Sequence, residues 1–130
     1  LEFRRVLLPI SGGEALAMAG VTIGDVQHFE GYDAATSHLV TQIEGHGFVE
    51  PGSGLEFCRA GEMAVGGTLP VNTAGGMISG SYMHGWNHVA EITRQLRHEA
   101  GVRQIEGVEI SMSSLTQTDQ VHPVIFRRGV

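Results

Sequence analysis

Two tyrosines and a histidine, Tyr32, Tyr82 and His84, stand beside glycines just ahead of helical patterns. A phenol donates hydrogen bonds and serves as an acid. It works as a base only if its reference pKa of about 10 is brought down by positive charge, hydrogen bonding or a helix N-terminus. On composition alone, a packing residue with a satisfied hydroxyl is the simpler reading of either tyrosine. The stretch LPVNTAGGMISGSYMHGWNH, residues 69–88, holds Tyr82 and His84 in a loop between a short extended run and a helix start. Such loops are where α/β proteins bring polar groups and unpaired amides to a substrate.

Other chemistry is weaker. His84 and His88 have the four-residue spacing that puts two imidazoles on one helix face for a metal. Gly85 interrupts that helix, no glutamate follows His84 and no third ligand stands out, so no metal site is expected. Gly75, Gly76, Gly80 and Gly85 could cradle phosphates, approach a thioester or simply form a loop; there is no Walker lysine and no GxGxxG. Cys58 reads as a small buried apolar residue rather than a nucleophile. Asn72, Gly75, Gly76 and His84 are the positions expected to contact substrate.

Several elements must hold these residues. Residues 1–10 are apolar, and Pro9 followed by Ser11, Gly12 and Gly13 is expected to end any regular element there. Residues 14–19 form a short helix before Gly20, and residues 21–31 a turn leading into a strand. The 3.6-residue period of residues 33–44 predicts a helix immediately after Tyr32, with Asp33 as N-cap or first-turn acid. Residues 48–54 read as a loop and 55–69 as irregular. Residues 86–100 give the clearest helix, with Val89, Ile92, Leu96 and Trp86 on one face and Arg94, Arg97 and His98 towards its C-terminal end. Strands are predicted at 108–112 and 123–126. This alternation indicates one layered α/β domain over residues 1–130.

The chain has 130 residues, enough to bury a modest core without disulfide or metal support. Its net charge of -6 comes from 14 acidic residues against 8 arginines, with no lysine, which argues against nucleic acid as a partner. No apolar run is long enough to span a bilayer, so no membrane partner is expected. The single cysteine excludes an internal disulfide and suits a cytoplasmic setting. A first residue other than methionine suggests that the chain is part of something longer.

Three stretches carry a family resemblance: EALAMAGVTIGDVQHFEGYDAATSHLVTQIEGHGF, GGTLPVNTAGGMISGSYMHGWNHVAEITRQLRHEAGVRQIEG and VHPVIFRR. Together they resemble the C-terminal half of a thiolase-superfamily protein of the sterol carrier protein x and lipid-transfer-protein branch. The resemblance implies a five-stranded mixed sheet with helices packed on it, a similar N-terminal domain and a homodimer. It also implies that CoA contacts and part of the oxyanion site come from outside this domain.

The departures from that pattern are informative. Where thiolases carry an NEAF-type motif this chain has Tyr32, Asp33, Ala34 and Ala35. Where they carry GHPxG it has Ser81 to Gly85, with Tyr82 in the histidine's place, and residues 111–120 lack the cysteine of the CxG motif. Tyrosine at both of the first two places is similar to the steroid side-chain-cleaving aldolases. That likeness implies retro-aldol cleavage of a β-hydroxyacyl-CoA with a tertiary hydroxyl at steroid C17, giving a 17-ketosteroid and propionyl-CoA. No cofactor is implied beyond the CoA of the substrate. The implied accessory partner is the OB-fold and zinc-ribbon domain of an acyl-CoA hydratase. The resemblance assigns Tyr32 and Tyr82 as catalytic, without deciding which is the base. A thiolase-like acyltransferase with its nucleophilic cysteine elsewhere, or a non-catalytic assembly domain, are the alternatives.

Overall fold

A computed structural model describes residues 2–116 and 120–129, the side chains of residues 2–6 excepted. Residues 117–119, part of the stretch where the resemblance places a cysteine motif, lie outside the described residues. A mixed sheet forms the centre: β1 (His28–Gly31) pairs in parallel with β2 (Ile110–Thr116), which pairs antiparallel with β3 (Val121–Arg127). Among the described residues the sheet has three strands, not the expected five. Residues 69–71 are too short to add one; Val71 makes a single parallel bridge to Phe29 at the free edge of β1.

The N-terminal segment corrects another expectation. Helix α1 (Glu2–Ala19) runs through Pro9 and both glycines as one element. A proline inside a helix removes one hydrogen bond and strains the preceding turn. Here Leu8, Gly12 and Leu16 form a buried stripe at four-residue spacing, and that burial outweighs the local penalty. The glycines are needed at this contact. A Cβ on Gly12 would stand 2.6 Å from His46 Nδ1, and one on Gly45 would stand 2.5 and 2.8 Å from Leu8 side-chain atoms. Small residues thus let α1 and α2 (Thr36–Gly45) approach closely.

Helix α2 begins at Thr36 with Ala35 as N-cap, so Asp33 neither caps it nor lies in its first turn. Residues 55–69 are not wholly irregular: α3 (Gly54–Arg59) opens them, and Cys58 on it is exposed rather than buried. Helix α4 (Trp86–Leu96) ends four residues before its expected limit, and His98 follows in the left-handed conformation, φ 60°. Its buried residues are His88, Glu91, Ile92, Gln95 and Leu96, while Trp86 is 71% exposed. The apolar period located the axis of α4 but not its buried face, because three of those five residues are polar.

The two faces of the sheet differ in character. Phe29 and Met112 pack with Leu16, Val26, Ile43, Leu69, Val71 and Ile110 in the main apolar core. The alternate residues His28, Glu30 and Ser111 turn to the other side, and Glu30 meets His88 of α4. A smaller cluster of Ile92, Leu96 and Val108 closes the far end of α4.

His46 predicts a pH response. Its Nε2 lies 2.9 Å from Ser114 Oγ, and burial pushes its pKa down to about 4, only partly opposed by the nearby Leu8 backbone. The fold therefore prefers the neutral imidazole. That stability is complete above about pH 6.5 and is lost as pH falls through about 4, roughly 3 kcal/mol in all. Denaturant unfolding at pH 7 and at pH 4 should show this loss, and His46→Gln should shrink the difference between the two.

Candidate active site

Strand β1 delivers Tyr32, which follows it directly; the Tyr32 N–H donates to the Ser114 carbonyl at 3.0 Å. Gly31 admits no side chain here, since a Cβ would come 2.7 Å from Phe29 Cε1 and 2.9 Å from Leu39 Cδ2. Both backbone groups of Gly31 are held by Asn72, whose Oδ1 accepts from Gly31 N–H at 2.8 Å and whose Nδ2 donates to the Gly31 carbonyl at 2.9 Å. Asn72 itself is left-handed, φ 48°, a conformation its short amide tolerates. The end of β1 is thereby fixed.

Tyr82 arrives from the other side. A single π-type turn, Gly76–Gly80, precedes it, and Gly85 in the left-handed region follows it before α4. A Cβ on Gly85 would overlap Leu115, so glycine is required at that bend. The two phenols meet with their oxygens 2.9 Å apart. Tyr32 is buried, Tyr82 is 58% exposed, and the His84 ring stands edge-on to Tyr82 at 4.8 Å.

The pair is asymmetric. The hydrogen bond to Tyr82 raises the Tyr32 pKa above the ordinary phenol value, and burial, the nearby Tyr82 and the negative charge of Asp33 add to it. Tyr32 is thus not the lowered base that the chemistry of a lone phenol calls for. It holds its proton more tightly than an ordinary phenol, because the bond to Tyr82, burial and Asp33 all disfavour its phenolate, while either hydroxyl can donate in the bond between them.

Behind the pair lies a buried polar chain that the expectations from sequence do not include. Ser111 Oγ is 3.2 Å from His28 Nδ1, and His28 Nε2 is 3.0 Å from Glu30 Oε1. Glu30 Oε2 is 2.6 Å from His88 Nδ1, and His88 Nε2 faces Asp33 Oδ1 at 3.4 Å. Asp33 accepts from the Met77 N–H at 2.9 Å and the Ile78 N–H at 3.3 Å, the first amides exposed by the turn before Tyr82. Thr73 joins two carboxylates, its N–H donating to Glu30 and its hydroxyl to Glu91, each at 2.9 Å. Glu91 would be raised by burial, but hydrogen bonds from Arg103, Thr73 and Gln95 and the Arg103 charge hold it below the usual carboxylate range.

The structure brings Tyr32, Tyr82 and His84 together. Gly75 and Gly76, both left-handed, shape the turn, and Asn72 stands behind it with its amide engaged by Gly31. His84 and His88 do not share surroundings: the first is exposed against Tyr82, the second buried against Glu30. The missed residues left a readable trace. In β1 the polar residues His28 and Glu30 alternate with Phe29, and in α4 His88, Glu91 and Gln95 follow the helical period beside Ile92 and Leu96.

Residues 5–118 match the family described as thiolase C-terminal domain-like. The chain is 41% identical over 98 residues to the 17-hydroxy-3-oxo-4-pregnene-20-carboxyl-CoA lyase of Mycobacterium tuberculosis, covering 75% of this chain and 25% of that protein. It is 37% identical over 102 residues to an acetyl-CoA acetyltransferase of Methanothermobacter thermautotrophicus, covering 76% and 27%. Among solved structures it superposes on the Ltp2-ChsH2(DUF35) aldolase with a TM-score of 0.88 at 28% identity, over 93% of this chain and 31% of that one. The chain spans about a quarter of the length of these curated relatives.

Proposed function

The chain belongs to the thiolase C-terminal domain-like family, and from that membership we propose that it is the tyrosine-bearing part of an aldolase site. The reaction is retro-aldol cleavage of a β-hydroxyacyl-CoA whose hydroxyl is tertiary, as on steroid C17. The observation that carries the reading is the contact of Tyr32 and Tyr82, 2.9 Å apart, on a domain whose relatives include a lyase of such a substrate.

In this mechanism Tyr82, the exposed member, acts as its phenolate and takes the proton from the β-hydroxyl, while the Tyr32 hydroxyl donates a hydrogen bond to the Tyr82 oxygen and favours that charged form. The bond between the carbinol carbon and the α carbon breaks as the ketone forms. Its electron pair passes to the α carbon and the thioester oxygen as an enolate, which protonation at the α carbon resolves to propionyl-CoA. The proton taken from the hydroxyl balances the one delivered to carbon, so no redox partner or acyl-enzyme is needed. His84, beside Tyr82, and the turn at Gly75 and Gly76 contact the thioester end.

The remaining site parts, including most CoA contacts, come from a thiolase-like N-terminal domain in a homodimer. A zinc-ribbon and OB-fold accessory domain covers the assembly. The superposed aldolase is itself named for two components, Ltp2 and ChsH2(DUF35), which supports such a partner.

The test uses the full-length protein. Given a tertiary β-hydroxyacyl-CoA and no free CoA, it should release ketone and propionyl-CoA in equal amounts. Cleavage only of a 3-ketoacyl-CoA, and only with added CoA, would replace this reading with the acyltransferase activity named for the Methanothermobacter relative.

A further inference from the structure

Three buried carboxylates sit behind the tyrosine pair, and among the described residues only Glu91 has an arginine partner. Glu91 has Arg103; Glu30 and Asp33 have between them the imidazole of His88, with His28 on the far side of Glu30. Uncompensated buried carboxylates are costly. His88 is wholly buried and places one ring nitrogen towards each carboxylate, Nδ1 2.6 Å from Glu30 Oε2 and Nε2 3.4 Å from Asp33 Oδ1. It also spans the two segments that carry the phenols. Glu30 lies on the strand that leads into Tyr32, and Asp33 grips the turn that leads into Tyr82.

We propose that His88 is a positioning residue of the tyrosine pair: it fixes Asp33, and Asp33 fixes the turn that brings Tyr82 to Tyr32. As a statement about catalysis this rests on the aldolase reading; as a statement about geometry it does not. His88 Nε2 has no hydrogen-bond partner among the described residues and faces Asp33 Oδ1 at 3.4 Å, so it confines Asp33 by close contact rather than by a hydrogen bond. Asp33 also acts on Tyr32 directly, since its negative charge helps keep that phenol protonated. The ionisable groups around this centre are Tyr82 against Tyr32, His84 edge-on to Tyr82, Asp33 beside Tyr32, and His88 from α4. Glu30 and His28 from β1, and the Glu91–Arg103 pair, stand beyond them.

The experiment compares Asp33→Asn and His88→Gln in the full-length protein. Each should lower kcat by about 10- to 100-fold with KM within about threefold, the pattern of lost alignment rather than lost binding. Phenolate absorbance, taken as the difference from Tyr32→Phe, should titrate at lower pH in Asp33→Asn, because a charge that raises Tyr32 is gone. Hydrogen exchange at the Met77 and Ile78 amides should quicken in His88→Gln. Unchanged exchange at those amides in His88→Gln, or wild-type kcat in both variants, overturns the proposal. If Asp33→Asn does not fold, the exchange in His88→Gln decides alone. A wild-type protein that cleaves no β-hydroxyacyl-CoA removes the aldolase reading, while the exchange and titration still decide the positioning.

Discussion

Tyr82→Phe in the full-length protein is expected to lower kcat on a tertiary β-hydroxyacyl-CoA by about 10²- to 10⁴-fold, the range of a lost general base, with substrate binding little changed. The fold tolerates the change because Tyr82 is 58% exposed and its hydroxyl is bonded to the Tyr32 hydroxyl. Tyr32→Phe is expected to cost less, about 10- to 100-fold, since it removes the hydrogen bond to the Tyr82 oxygen but leaves that oxygen in place. Steady-state kinetics on both variants, with melting curves as the folding control, check this order. The reverse order would exchange the roles of the two phenols.

Gly76→Ala is expected to lose roughly 2–5 kcal/mol of stability, from the left-handed backbone and from overpacking together. Gly76 has φ 59°, and a Cβ there would overlap Asp33 Oδ2 and stand 2.7 Å from Asp33 Cγ and 2.8 Å from Asn72 Nδ2. These atoms cannot retreat cheaply. Asp33 is held by the Met77 and Ile78 amides and Asn72 by Gly31. The added methyl therefore pushes the turn before Tyr82 away from Tyr32, and turnover falls further than the unfolded fraction explains. Gly101→Ala separates the two causes: Gly101 has φ 62° but nothing within 4 Å of a new Cβ among the described residues, so it is expected to lose only about 1–2 kcal/mol. Denaturant unfolding and kcat of both variants, measured together, test the prediction.

The sequence made part of this legible and hid the rest for physical reasons. Tyr32 and Tyr82 stood out by their places before helices and by the departures from a thiolase pattern, and the structure joins them over 2.9 Å. The helical periods of α2 and α4 were readable because apolar residues recur on them. The run through Pro9 was not, since local propensity says nothing of the stripe of Leu8, Gly12 and Leu16 that decides it. Asp33 looked like a helix cap because its type and place suit one, yet its carboxylate serves a turn 44 residues away. The Glu30–His88–Asp33 chain was hidden for a related reason: polar residues on a strand and a helix are normally solvent-facing, and only their stacking in space buries them.

Cleavage in D2O tests the central claim most directly. The full-length protein, given a tertiary β-hydroxyacyl-CoA without free CoA, should release propionyl-CoA carrying one deuterium at its α carbon, and Tyr82→Phe should release almost none. A requirement for free CoA, or equal release of deuterated propionyl-CoA by Tyr82→Phe, would contradict a retro-aldol site built on the tyrosine pair.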